Sequence, residues 1–196
     1  REVRGLSGVC DSYDVVVVAA GWRTPDVLQM ALPLTPTRGR SLVVDNESLG
    51  RDRLGEALLC GEYVVPSSPS QLTVGATHEH LPPAAAMEPA RQALEGGAEE
   101  PLAELRRRAV DMYPPLAGRA GEVGVVAGVR AVARRTHEGR IPIAGRVPGM
   151  TNAWVMAGFG SRGFVHHAFV AEQVARAAVA GNESMVDPLL RASLPT

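Results

Sequence analysis

Residues 158–163 read Gly-Phe-Gly-Ser-Arg-Gly, with the spacing G-x-G-x-x-G, between a short apolar run (AWVMA) and a long stretch of helical periodicity. Glycines let a backbone come close to a ligand. A helix that starts behind them offers unpaired N–H groups and a partial positive charge, so an anionic group fits there. A tight turn with no ligand would use the same residues, and the pattern alone favours neither. The ordinary dinucleotide fingerprint needs a second strand after the helix, yet only about fifteen residues follow it, and none reads as a strand.

The arginines of VAGVRAVARR, residues 126–135, form a second feature. Arg130 falls inside an apolar β run, where arginine is rare unless paired. Its planar fork suits bidentate binding of a carboxylate. A structural salt bridge or a solvent-facing position would account for it equally. Arg134 and Arg135 follow near the end of the run, and Arg162 stands inside the glycine turn.

Other chemistry-bearing residues lack partners. His78-Glu79-His80 and His166-His167 have no third ligand at metal-site spacing, so no metal is expected. Ser161 does not stand in G-x-S-x-G, which argues against a serine hydrolase. Cys60 on a β run reads as a small buried apolar residue. Cys10 and Cys60 are far apart without a C-x-x-C, so a reducing compartment is expected.

The elements that must position these residues follow from periodicity. YDVVVVAA, residues 13–20, reads as a strand buried on both faces, as in a parallel sheet. PLTPTRGRSLVV, residues 33–44, leads into a second β run. LLCGEYVVP (58–66) and QLTVGAT (71–77) flank a polar turn and predict an antiparallel hairpin. Residues 81–97 read as loop with some helix. Apolar residues at 102, 105, 109 and 112 behind Pro101 predict a helix that Pro114 stops. Residues 122–133 and 153–157 read as strands, and 164–180 as an amphipathic helix capped by Gly181.

Composition sets outer limits. Of 196 residues, 45% are hydrophobic and 21% charged, with a formal charge of -1, an ordinary globular balance. Near-neutral charge makes nucleic acid an unexpected partner. No apolar run approaches the roughly 20 residues that span a bilayer. The chain starts at Arg1, without a signal peptide, and reaches a buried-strand pattern at once. That order, with few crossover helices, leads to the expectation that a preceding segment is missing.

In order, these segments resemble the D-amino-acid oxidase-like superfamily of FAD-dependent oxidoreductases. VVVVAAGW resembles the strand and turn beside the flavin, TRGR the start of the substrate domain, and YVVPSSPSQLTVGAT its central hairpin. AGVRAVARRTHEGRIPIAGR resembles the strand and loop with the substrate arginine, and AWVMAGFGSRGFVHHAFVAEQVA the last flavin-facing strand, turn and helix. GSRG is similar to the oxidoreductase half of the bifunctional tRNA methylaminomethyl-thiouridine enzyme. RAVARRTHEGRIPIAG is similar to plant and algal FAD-dependent oxidoreductases of the chloroplast.

The resemblance implies an α+β chain: an antiparallel substrate-domain sheet with a helix, plus the C-terminal strands and helix of an incomplete FAD-binding Rossmann-like domain. Its implied limits are 1–32 and 136–196 for the FAD-binding parts and 33–135 for the substrate domain. It implies non-covalent FAD, held by Ala20, Gly21, Gly158, Phe159, Gly160, Ser161, Arg162 and Gly163. It also implies that the C–N bond of a small amine or amino acid is oxidised, with Arg130 anchoring a carboxylate.

The family's N-terminal fingerprint has no counterpart in the chain. A missing segment or a partner chain is therefore expected to supply the rest of the FAD site, and the chain alone to be unstable and inactive. The spacing from Arg130 to Thr136 is longer than in bacterial glycine oxidases, which leaves Arg135 as an alternative anchor. Two rival readings are a non-catalytic flavoenzyme-derived subunit and a tRNA-modifying oxidoreductase. The implied location is the cytoplasm or the chloroplast stroma.

Overall fold

The structure, a computed structural model, describes residues 5–81, 98–118 and 121–194. The loop-and-helix expectation for residues 82–97 lies outside them. Contacts group the described residues into two compact units, one of residues 5–36, 81 and 130–194, the other of 37–80, 98–118 and 121–129. The helices are α1 (Ser7–Cys10), α2 (Thr24–Leu28), α3 (Glu100–Met112), α4 (Gly163–Ala180) and α5 (Pro188–Arg191). The strands are β1 (Val16–Val18), β2 (Leu34–Asp45), β3 (Leu58–Cys60), β4 (Glu62–Ser68), β5 (Gln71–Gly75), β6 (Glu79–His80), β7 (Glu122–Ala133), β8 (Ile143–Arg146) and β9 (Ala153–Ala157).

In the second unit, β3, β4, β5, β2 and β6 are neighbours in that order, and β7 also pairs with β2. The predicted hairpin is β4–β5, with Val64 opposite Val74 and Val65 opposite Thr73. Gly61, at φ 78°, breaks the expected 58–66 strand into a further antiparallel pair, β3 with β4. The break leaves Cys60 exposed at the end of the outermost strand, not buried as its β context suggested. Leu42, Val74 and Val64 form one cross-strand row, and α3 places Leu102, Leu105 and Ala109 against it. Period 2 in the sheet and period 3.6 in the helix thus meet in one core.

Along β2 from that row lies a buried ion cluster. Glu79 accepts 2.7 Å bonds from Arg38 and Arg40 and a 2.6 Å bond from the Thr77 hydroxyl. Arg40 also donates to the Ala98 carbonyl at 2.6 Å, fixing the approach to α3. His80 turns to the Thr37 hydroxyl, so the two histidines flank a carboxylate already committed to arginines.

In the first unit, β9 lies between β1, parallel to it, and β8, antiparallel to it. Alternation sorts its side chains. Trp154 and Met156 join Val170, Val174 and Ala177 of α4, while Ala153, Val155 and Ala157 join Leu6, Val18 and Leu28. The doubly buried strand is therefore β9. The valine run does not fit that expectation: Val15 and Val17 are exposed, because β1 has a neighbour on one side only among the described residues. Strand β8 escaped the sequence reading, since Pro142 precedes it and Gly145 interrupts its apolar run.

Helix α4 begins one residue before the expected start and ends at Gly181, whose φ of 63° is the left-handed cap. Arg146 lies over the Trp154 ring at 5.0 Å and donates to the Gly181 and Thr151 carbonyls. Among the described residues no helix is long and apolar enough to cross a membrane.

The ion cluster generates a pH prediction. Burial raises the Glu79 pKa, but the bonds from Arg40, Thr77 and Arg38 together outweigh it and hold the carboxyl below the ordinary 4.5. A lowered folded-state pKa stabilises above the ordinary value, and that contribution is lost as pH falls through the lowered value. Glu79→Gln should cost about 1–3 kcal/mol at pH 7. Denaturant titrations should show this gap closing under acid conditions, where the parent carboxyl is also protonated. A gap that stays constant would contradict the assignment.

Candidate functional site

The parallel pairing of β1 with β9 puts two carboxyl ends side by side, with Val18 opposite Val155. Ligands of open α/β sheets bind beyond such ends. One chain leaves β1 through Ala19, Ala20 and a 3-10 turn at Gly21–Arg23. The other leaves β9 through Gly158, Phe159 and a 3-10 turn at Gly160–Arg162 that runs into α4. Ala20, Gly21, Ser161 and Arg162 are exposed, Phe159, Gly160 and Gly163 half-buried, and Gly158 buried.

Local bonds hold both turns. Gly21 has φ 59° and open space where a side chain would stand. Thr24, fully buried, donates its hydroxyl to the Gly21 carbonyl at 2.8 Å. The sequence reading passed over Thr24; its signal is a hydroxyl three residues after a glycine, the spacing of a local side-chain-to-backbone bond. Asn152 donates to the Cys10 and Tyr13 carbonyls at 2.9 Å, and its own carbonyl accepts from Val16, which aligns β1 with β9.

At the start of α4, Arg162 occupies the cap position and no side chain caps the helix, so its first N–H groups keep their donor capacity. His167 turns its Nδ1 to the Phe164 carbonyl at 2.9 Å, which requires the proton on Nδ1. His166 is half-buried on the same helix.

Strand β7 meets the glycine turn at its far end. Val132 bridges Phe159, and Ala133 donates to the Gly158 carbonyl at 3.2 Å. Arg130 stands two residues earlier on β7, half-buried, with no side-chain hydrogen bond or ion pair among the described residues. Arg135 lies beyond the strand and is exposed. The site residues read from sequence thus gather at one end of one sheet, with Arg130 brought in by the β7 contact.

The arrangement fits part of a flavin dinucleotide. It combines small residues, backbone in left-handed conformations and an uncapped helix start, with no carboxylate in residues 157–163. Such a helix end favours the part of a cofactor on which negative charge develops.

The two central glycines differ in what they require. A Cβ on Gly158, at φ 78°, would stand 3.0 Å from both Ala133 Cβ and Leu34 Cδ2. A Cβ on Gly160, at φ 56°, would find Val132 at an ordinary 3.7 Å. That direction faces Val132 at ordinary contact distance, so the constraint that the fold itself places on a side chain there is the positive φ. Gly160→Ala should lose about 1 kcal/mol of stability through φ alone. Gly158→Ala should lose more, because the packing must also shift. Thermal melts of both variants test the order, and a Gly160 variant less stable than the Gly158 variant would refute it.

Comparison with known proteins gives a consistent answer. The model of the family described as "DAO: FAD dependent oxidoreductase" matches residues 1–177. Iminodiacetate oxidase from Chelativorans sp. BNC1 is 20% identical with a TM-score of 0.66, covering 94% of this chain and 46% of its own. Glycine oxidase from Geobacillus kaustophilus is 21% identical with a TM-score of 0.67, covering 90% and 44%. L-proline dehydrogenase from P. horikoshii is 16% identical with a TM-score of 0.67, covering 92% and 48%. At these identities the solved structures show a shared fold, and the chain spans less than half the length of each. No curated protein sequence matches. The match over residues 1–177 makes this chain a member of the DAO family of FAD-dependent oxidoreductases.

Proposed function

We propose that this chain is the C-terminal portion of an FAD-dependent oxidoreductase that oxidises the C–N bond of a small amine or amino acid. The observation that carries the reading is the β7 contact. Val132 bridges Phe159, so Arg130, half-buried and without a hydrogen-bond or ion-pair partner among the described residues, stands two residues from the contact with the glycine turn. Glycine, proline and iminodiacetate, after which the similar enzymes are named, each combine a carboxylate with an amine.

When bound, the flavin supplies the hydride acceptor. Arg130 holds the substrate carboxylate through its bidentate fork. It is preferred over Arg135 because it lies within β7 and is half-buried, whereas Arg135 is exposed beyond the strand. Ala20, Gly21 and Gly158–Gly163 give a close backbone surface for the cofactor. The helix start behind Arg162 favours negative charge there.

The remaining FAD contacts come from a further polypeptide segment, preceding or in a partner chain. Exposed Val15, just before β1, Val17 on β1, and Phe164, Val165 and Phe169 on α4 support this reading. Bare apolar strand and helix faces of this kind are ordinarily covered. The free thiols of Cys10 and Cys60 suit a reducing compartment.

In the FAD-loaded protein, Arg130→Met should lower kcat/KM by about 10–100-fold, the loss of a charge-assisted bidentate pair, while flavin absorbance stays unchanged. Arg130→Lys should recover only part, since it cannot form the fork. Normal kinetics in Arg130→Met together with a loss in Arg135→Met would move the anchor. Absence of bound flavin in the intact protein would remove the enzymatic reading altogether.

A further inference from the structure

The hairpin that continues β7 past Arg130 is fixed in position and strongly basic. Thr136 N donates to Gly139 O at 2.8 Å, and Gly139 N returns to Thr136 O at 3.1 Å. Arg134 N donates to Pro33 O at 2.9 Å, and Arg140 Nη1 holds the Ala133 carbonyl at 3.0 Å. The backbone under Arg134 and Arg135 is therefore tied down on both sides. Their side chains are exposed and make no hydrogen bond or ion pair among the described residues.

The hairpin's single carboxylate does not compensate them. Glu138 is taken by His137 Nε2 at 2.7 Å and by the Thr136 hydroxyl at 3.2 Å. Several arginines elsewhere are matched: Arg23 with Asp26, Arg108 with Glu62, Arg176 with Glu172. Between residues 130 and 140 there are four arginines and one glutamate. One substrate carboxylate on Arg130 offsets one of these charges and leaves the hairpin unbalanced.

We infer that this hairpin is a specificity element that favours ligands with a second carboxylate, and so amines carrying two acidic groups. The inference rests on Arg130 as the anchor for the first carboxylate. Arg134 is four residues along the strand direction, about 13 Å. Two bidentate pairs, each with hydrogen bonds of about 2.8 Å, leave a short carbon skeleton between the two acidic ends. The hairpin charges also act at range. The Debye length is about 8–10 Å at physiological salt, shorter than that separation, and longer in dilute buffer, so their attraction reaches Arg130 at low salt and is screened as salt is added.

The test uses carboxylates as probes, with no need to know the natural substrate. The FAD-loaded protein is titrated with succinate and with butyrate, and binding is followed through the flavin absorbance. Ionic strength is set at about 0.02 M and then about 0.3 M, either side of physiological screening. Succinate should bind about tenfold more tightly than butyrate at low salt, and most of this advantage should vanish at high salt. Arg134→Gln/Arg135→Gln should abolish the advantage, weakening succinate about tenfold more than butyrate at low salt, while leaving the bound-flavin spectrum unchanged. Arg130→Met should weaken both probes, and if it weakens neither, the anchor reading fails even where the hairpin effect persists. Equal affinity for the two probes, no response to either, or a succinate advantage that survives in the double variant would overturn the inference.

Discussion

The parallel ladder between β1 and β9 is the constraint on which the site depends. Parallel strands cannot be joined by a tight turn, and this pair brings together segments 139 residues apart, measured at the bond from Asn152 to Tyr13. The ordering cost of such a contact is recovered only through burial. Burial is what β9 provides, with Trp154 facing α4 and Val155 facing Val18 and Leu28. Asn152 adds register by satisfying two carbonyls of the chain that leads into β1. With that register set, the Gly21 and Gly158 turns leave the sheet from adjacent strands and at the same end.

Charge is arranged differently at this end than around α3 and Glu79. Around α3, arginines and carboxylates interlock: Arg106 with Glu99 and Glu122, Arg107 with Glu104 and Asp111. Even the buried Arg38 and Arg40 share Glu79. At the glycine turn and along the end of β7, Arg130, Arg134, Arg135 and Arg162 have no carboxylate partner among the described residues. Unbalanced positive charge raises the energy of the empty site and lowers that of an anionic complex. A family whose chemistry places negative charge on a bound cofactor gives that arrangement a use.

Much of this was readable in residues whose pattern has a single physical outcome. AWVMA alternates over two cores, EVGVVAGVRAVA has the length of one strand, and Gly181 ends α4 because only glycine takes a left-handed cap without strain. The valine run misled because composition reports the capacity for burial, whereas burial itself depends on neighbours. Val17 is exposed and Val18 buried within the same β1. Cys60 misled for a related reason, since one left-handed glycine turned an apparent strand interior into a hairpin corner. The roles of Thr24 and Asn152 were hidden because a hydroxyl or an amide takes meaning from the carbonyl it meets, and that carbonyl is set by the fold.

Helix α4 carries the last step of the argument. A helix that packs on one sheet needs one apolar stripe. This one has Val170, Val174, Ala177 and Ala178 inside, and also Val165, Phe169 and Val179 exposed on the outside. The outer residues are spaced by four and ten, so they recur on one side of the helix, interrupted by the Glu172–Arg176 pair. Strand β1 likewise has an open edge among the described residues, with Val15 and Val17 in solvent. An open strand edge and a second apolar helix stripe are surfaces that added polypeptide ordinarily covers. The same addition would bring a third carboxyl end beside those of β1 and β9, where the glycine turns already leave the sheet. On the proposed reading, covering β1 and extending the cofactor surface would therefore be one structural step.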